Sequence, residues 1–292
     1  MRREILFTID NRLRITGDTP DYILSKIINR FTFENPKYLK AQYQGFSTWK
    51  IPRYIHGYEK EGKALSLPRG SIQQVLGIIK DAGLPYHIED HRRSLQPVQF
   101  QFTALLRGFQ EEAVARMLDR GSGTLSAPTG SGKTVMALAI IAERKQPTLV
   151  IVHNKELLNQ WIERIEKFMG IPRAEVGIIG AGKKTFGPRL TVGIINSIYK
   201  ISAEIRHRFG HIVVDECHRV PSRTFTEGLK HFDARYLLGL SATPWRRDKL
   251  SRLIYWNVGD IVHKIEQGSL MDSGDVLRAE VITRETNFST GF

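Results

Sequence analysis

One cysteine, Cys217, stands in 292 residues. A lone thiol excludes an intrachain disulfide framework and a cysteine-rich zinc site, and it leads to the expectation of a reducing, cytoplasmic setting. No apolar run approaches the roughly 20 residues of a membrane span, so no membrane partner is expected. The start, Met1-Arg-Arg-Glu-Ile-Leu-Phe7, lacks the longer apolar core and small-residue cleavage site of a secretory signal. Internal repeats and low-complexity segments are absent. Acidic side chains are the scarcer charge, with 30 Asp plus Glu against 43 Lys plus Arg and a net charge of +13. The excess is spread along the chain, +6 over residues 1–100 and +7 over the rest. Such a balance fits a polyanion partner, nucleic acid first; a surface kept basic for solubility is the bland alternative. At 41% hydrophobic and 25% charged, the chain reads as globular and long enough for about two domains.

What is present is organised around Ala127-Pro-Thr-Gly-Ser-Gly-Lys-Thr134. The stretch follows a short apolar run and opens a helix-like one, Val135 to Ala142. Strand, glycine-rich turn and helix together are the context of a phosphate-binding loop. Gly130 and Gly132 let backbone N–H groups turn onto phosphate oxygens, with Thr129 and Ser131 in the same wrap. The helix N-terminus adds partial positive charge. In this chemistry Lys133 reaches the β- and γ-phosphates of ATP and the Thr134 hydroxyl binds Mg2+. The strict pattern wants glycine at 127, where this chain has alanine. A glycine-serine loop with a chance lysine is the competing reading, and the flanking pattern speaks against it.

Residues 1–95 form a unit by pattern, expected to be a small α+β DNA-binding domain. Glu4–Ile9 and Arg12–Thr16 suit two strands around an Asp10-Asn11 turn. Thr19-Pro20 suits a helix start, and Ser71 a second helix cap. Between Phe31 and Tyr58, aromatic residues alternate with Lys37, Lys40, Lys50 and Arg53, which predicts short strands broken by Gly45, Pro52 and Gly57. Rings among cations can stack on bases and contact phosphate; the bland and favoured alternative is that most of them form the core of a small sheet. Lys50 and Arg53 are better candidates for DNA contact than Trp49. His91 to Pro97 is polar and suits a linker.

From about residue 105 the pattern alternates. Candidate strands at 124–127, 148–152, 176–179, 191–195, 211–215 and 236–241 are separated by amphipathic stretches such as 155–169. This predicts an α/β fold with a doubly wound parallel sheet. Ile212-Val-Val-Asp-Glu-Cys-His218 delivers Asp215 and Glu216 to the carboxyl end of that sheet, where such folds bind ligands. Asp215 is expected to hold Mg2+, and Glu216 to orient or deprotonate the water that attacks the γ-phosphate.

The series of phosphate-binding loop, Asp-Glu-Cys-His218 and Ser241-Ala-Thr243 resembles the motifs of superfamily-two helicases, and the Asp-Glu-Cys-His and Ser-Ala-Thr-Pro segments resemble the XPB and UvsW-like branch most. Leu106-Arg-Gly-Phe-Gln110 resembles the segment that recognises adenine, which gives Arg107 and Gln110 a nucleotide role; glutamine can pair with adenine's edge. Ile151 to Trp161 resembles the segment that touches one DNA strand, with Asn154 and Lys155 at its start. Thr191 to Ser197, with Asn196, sits where another strand contact lies. His218, Ser241 and Thr243 are implied to couple the ATP site to DNA. Arg246-Arg-Asp248 matches only partly an Arg-Glu-Asp segment of XPB-type proteins; Arg246 and Arg247 are carried as candidate DNA contacts.

The resemblance implies a RecA-like lobe, a P-loop NTPase fold, over residues 96–260 after the small α+β domain. It implies a lead-in (261–292, including 276–283) to a second RecA-like lobe bearing an arginine finger. The expectation is the N-terminal part of an ATP-dependent DNA helicase or translocase acting on branched or forked DNA in recombination or repair, with RNA not excluded, and weak in turnover without the second lobe. Rival readings are the motor of a restriction or defence complex and a non-catalytic nucleic-acid clamp.

Overall fold

The computed structural model describes residues 4–62, 64–219, 223–242 and 250–268. Thr243, Arg246, Arg247 and the segment 276–283 lie outside them.

The N-terminal unit opens with β1 (Ile5–Ile9) and β2 (Arg12–Gly17), whose alternate residues are buried as a half-covered sheet requires. There follow α1 (Asp21–Arg30), β3 (Thr32–Glu34), α2 (Pro36–Tyr43), β4 (Tyr54–His56), β5 (Glu59–Glu61), β6 (Ala64–Pro68), α3 (Ile72–Asp81) and β7 (Tyr86–Asp90). Five strands form one sheet in the order β5-β6-β2-β1-β7, with β7 parallel to β1. The two helices α1 and α3 turn Ile23, Ile27, Val75 and Ile79 onto Phe7, Leu13 and Leu67.

Three local expectations shift. The stretch 36–43 is a helix, not a strand: Asn35 accepts from the Lys37 N–H at 3.0 Å and Pro36 fills the first helical position, a start signal written in the sequence. Pro20, not Thr19, stands at the α1 N-cap position. The Ser71 hydroxyl donates to the Pro68 carbonyl at 2.6 Å and does not cap α3.

The second unit is a RecA-like lobe. Its elements are α4 (Gly108–Leu118), β8 (Ser122–Ser126), α5 (Lys133–Arg144), β9 (Thr148–Val152), α6 (Lys155–Met169), β10 (Gly177–Gly180), β11 (Lys183–Lys184), β12 (Leu190–Ile194), α7 (Ile195–Ile205), β13 (His211–Val214), α8 (Arg223–Leu229), β14 (Tyr236–Ser241), α9 (Ser251–Val258) and β15 (Ile261–Lys264). They build an eight-stranded sheet in the order β11-β10-β12-β9-β13-β14-β8-β15, parallel except at β11. Helices cover both faces, so strands such as Thr148–Val152 are buried at every residue. Ile261–Lys264, read as the start of a lead-in, pairs with β8 and extends this sheet.

The two units share more than a linker. Trp256 of α9 lies in the core of the N-terminal unit, 5.2 Å from the Phe31 ring and 5.5 Å from Phe33. Gly57 is compatible with that placement because a Cβ there would collide with the indole. Buried Arg69 donates to the Ala234 carbonyl at 2.6 Å, and Gln74 to Asp260 at 2.6 Å. The stretch 91–97 is tied down at residues 91–93 and at Leu95. Arg93 exchanges backbone bonds with Asp233 and Arg235, each 2.7 Å, and Leu95 N–H donates to Gln146 at 2.7 Å.

Candidate nucleotide and nucleic-acid site

The motif residues converge because their strands are neighbours. Strands β13, β14 and β8 lie side by side and parallel, with Ser241 opposite Ser126 and Gly239 opposite Val214. Their carboxyl ends carry Asp215, Ser241 and the 127–132 loop to one edge. The Ala127 N–H donates to the Ser241 carbonyl at 3.0 Å, which stitches loop and strand together.

In the loop, Gly130 and Gly132 both have φ of +85°, a conformation that side chains rarely adopt. Ser131 is buried and its hydroxyl donates to the Pro128 carbonyl at 2.7 Å, closing the turn. Thr129 and Gly130 are exposed and Thr134 is half-buried in the first turn of α5. The Lys133 ammonium is folded onto the loop, donating to the carbonyls of Ala127 at 3.0 Å and Pro128 at 3.1 Å. Burial holds its pKa below the usual lysine range, against the opposing pull of Glu216 and Asp215.

Asp215 and Glu216 are adjacent yet differently placed. Asp215 is buried, and burial raises its carboxyl pKa. Its Oδ2 accepts from the Trp161 indole N–H at 2.8 Å and its Oδ1 from the Glu216 N–H at 2.9 Å. Glu216 has φ of +50°, a strained state for a side chain with a Cβ and one found at functional sites. The hydrogen bond from His218 holds its pKa below the usual glutamate range. His218 Nδ1 lies 3.1 Å from Glu216 Oε2 and 3.2 Å from Ser241 Oγ, so the imidazole spans the two motifs. Cys217 beside it is buried, and burial raises its thiol well above the ordinary range.

Gln110 is engaged within the chain at both ends of its amide. Its Oε1 accepts from the Arg107 N–H at 3.0 Å and its Nε2 donates to the Ser131 carbonyl at 2.9 Å. The side chain caps α4 and braces the phosphate-binding loop, since a capping box and a loop brace need the same amide. Arg107 is exposed. Asn154 starts another helix: its Oδ1 accepts from the Leu157 N–H at 2.9 Å as the α6 cap. Lys155 and Asn196 are exposed at the starts of α6 and α7, which follow β9 and β12 on the same edge of the sheet. Trp161, read only as the end of a strand-contact segment, points inward at Asp215; the apolar spacing of Leu158, Trp161, Ile162 and Ile165 is the signal that marks it as internal.

The donor set suits a magnesium nucleotide. A hydroxyl, one buried carboxylate and a glycine-rich loop leave most of the metal's positions to phosphate and water, as Mg2+ prefers, and a nearby cation would offset the cost of burying Asp215. No group of three or more His, Cys, Asp or Glu side chains able to hold a metal by themselves occurs among the described residues.

Earlier in the chain, the N-terminal unit exposes Tyr43, Phe46, Trp49 and Tyr54, with Trp49 90% exposed. Phe31 is buried, and Phe33 and Tyr58 pack partly on the same core. Residues 35–58 contain four lysines and arginines and no carboxylate. Lys50 is exposed; Arg53 lies 3.3 Å from Glu34 and over the Tyr54 ring.

Comparison with known proteins agrees with this layout. The family profile described as "Type III restriction enzyme, res subunit" matches residues 103–246. The DNA 3'-5' translocase XPB2 of Sulfurisphaera tokodaii is 37% identical over 159 residues, which is 54% of this chain and 35% of that protein. A putative ATP-dependent RNA helicase of Acanthamoeba polyphaga mimivirus is 30% identical over 245 residues, 80% of this chain and 42% of that one. The chain thus spans well under two thirds of the length of these curated relatives. The crystal structure of the UvsW helicase from bacteriophage T4 superposes with a TM-score of 0.67 at 17% identity, covering 88% of this chain and 99% of that one, a likeness of fold that includes most of the N-terminal unit. Residues 103–246 are thus similar to the type III restriction enzyme res subunit family and the chain to helicases and translocases of the XPB type, while the likeness to UvsW is one of fold.

Proposed function

We propose that this chain is the nucleotide-binding half of an ATP-driven DNA translocase or helicase. The observation that carries the reading is the convergence of Lys133, Asp215, Glu216, His218 and Ser241 on the carboxyl ends of three neighbouring strands. Lys133 and the amides of 129–134 would hold the phosphates, and Thr134 with Asp215 would hold Mg2+. Bound ATP supplies the phosphoryl group whose transfer to water drives movement. Lys133 must leave the Ala127 and Pro128 carbonyls to engage a phosphate. Glu216, kept ionised by His218, is placed to orient a water and accept its proton. His218 then links that carboxylate to the strand that leads into Ser241 to Thr243. Lys155 and Asn196 offer strand contacts from the same edge, and the exposed rings and cations of 35–58 a second surface suited to branched substrates.

The arginine finger that completes phosphoryl transfer in this family's chemistry belongs, in this reading, to a second RecA-like lobe. The test is ATP hydrolysis with forked DNA, plain duplex, single strand and RNA, by this chain and by a form carrying that lobe. Stimulation by forked DNA confined to the two-lobed form supports the reading; tight fork binding with no hydrolysis by either form refutes it in favour of a clamp. The family profile's description favours one second reading, the motor subunit of a restriction complex, which predicts DNA cleavage in the presence of a nuclease partner.

A further inference from the structure

The proposed chemistry leaves one buried polar contact at the site unused. Trp161 is 1% exposed and sits two turns into α6, between Leu158 and Ile165 on the face turned to the sheet. Its indole N–H donates to Asp215 Oδ2 at 2.8 Å, across 54 residues of sequence. The other carboxylate oxygen accepts from the Glu216 N–H at 2.9 Å. A buried indole needs an acceptor for its own sake. Here the acceptor is the carboxylate at the end of β13, and two donors on its two oxygens fix the plane of the group. An ionised carboxylate has about four acceptor positions, so both oxygens keep a lone pair to offer.

We infer that Trp161 is a positioning residue for the nucleotide-bound metal ion, holding Asp215 in the one orientation that serves Mg2+. This rests on the reading of Asp215 proposed above. Partners that orient a metal-binding carboxylate commonly change metal affinity by about tenfold or more when removed. Trp161 does not touch nucleotide in this account; it acts through Asp215. It also joins two elements of the motor, since α6 begins at Asn154 and Lys155 on the edge proposed to meet nucleic acid.

The experiment titrates Mg2+ against a fluorescent, non-hydrolysable ATP analogue bound to the full chain, and repeats the binding in EDTA. Two variants are compared, Trp161→Phe and a form with the benzothiophene isostere of tryptophan at 161, which keeps the bicyclic shape and lacks the N–H. The expected result is a half-saturating Mg2+ concentration raised about tenfold in both, with analogue affinity in EDTA and the urea midpoint of the isostere form unchanged. An unchanged Mg2+ midpoint in the isostere form overturns the inference and leaves the indole as packing alone, whatever Trp161→Phe does. Absence of any Mg2+-dependent binding by the unmodified chain refutes the nucleotide reading itself, which is a separate failure.

Discussion

Replacing Trp256 with alanine removes the side chain by which the second unit completes the core of the N-terminal unit. The indole is 1% exposed, packed at 5.2 and 5.5 Å against the Phe31 and Phe33 rings, and it belongs to a helix whose Ile254 and Val258 lie in the core of the second unit. Neither side can collapse to fill the space, because β3 and β4 are held to each other and α9 is held by its own apolar face. Truncation of a buried tryptophan costs about 3–5 kcal/mol, a large part of a total stability of about 5–15 kcal/mol. Urea unfolding followed by circular dichroism reads the loss as a lowered midpoint. Hydrogen exchange divides it: amides of β1 and β2, which surround Phe7 and Leu13, should lose protection before those of β9 and β13. Trp256→Phe should recover part of the loss. A cost below about 1 kcal/mol, or deprotection that begins in β9 and β13, would refute the claim that the N-terminal core depends on α9.

Other consequences follow from particular contacts. Trp49→Ala should weaken single-strand binding by about 1–3 kcal/mol, the range for a stacked base, with ATP binding unchanged, as read by fluorescence anisotropy at fixed salt. His218→Ala removes the donor that depresses the Glu216 pKa, so the acid limb of the pH–rate profile should move to higher pH while nucleotide affinity is kept. Asp90, paired with Arg92 at 2.7 Å and with Arg235 across the unit boundary, has its pKa lowered to about 2, chiefly by the Arg92 hydrogen bond. A depressed carboxyl contributes stability that is present above its unfolded value of about 3.9 and lost as pH falls towards 2. Asp90→Asn should therefore lower the urea midpoint at pH 7, and the difference from the unmodified chain should shrink between pH 4 and pH 2.

Much of the RecA-like unit was legible because its signals are local and periodic. Thr148–Val152 and Tyr236–Ser241 are apolar runs of strand length between turn residues, and they fold as such. The order of the motifs told which strand ends must meet, since the ligand edge of a parallel sheet is set by chain direction. What local pattern could not show was double employment. Gln110 and Asn154 have the chemistry to meet base and phosphate, and both also make helix-start bonds. Trp161 looked like part of a strand-contact segment, and only the fold brings it 2.8 Å from Asp215. Pro36 after Asn35 did carry a helix-start signal, masked by the run of aromatics that follows. The strand Ile261–Lys264 and the place of Trp256 depend on pairings more than 100 residues apart, with β8 and with Phe31. Short apolar segments give no hint of such distant partners.

The account stands most directly on Lys133 and the loop around it. Equilibrium binding of ATP with Mg2+ should be compared for the unmodified chain and Lys133→Ala. The account predicts saturable binding by the first, and binding by the second weakened at least tenfold, or about 1.4 kcal/mol, with the urea midpoint kept. Equal affinity in the two chains, or none in either, would contradict the claim that this edge of the sheet is a nucleotide site.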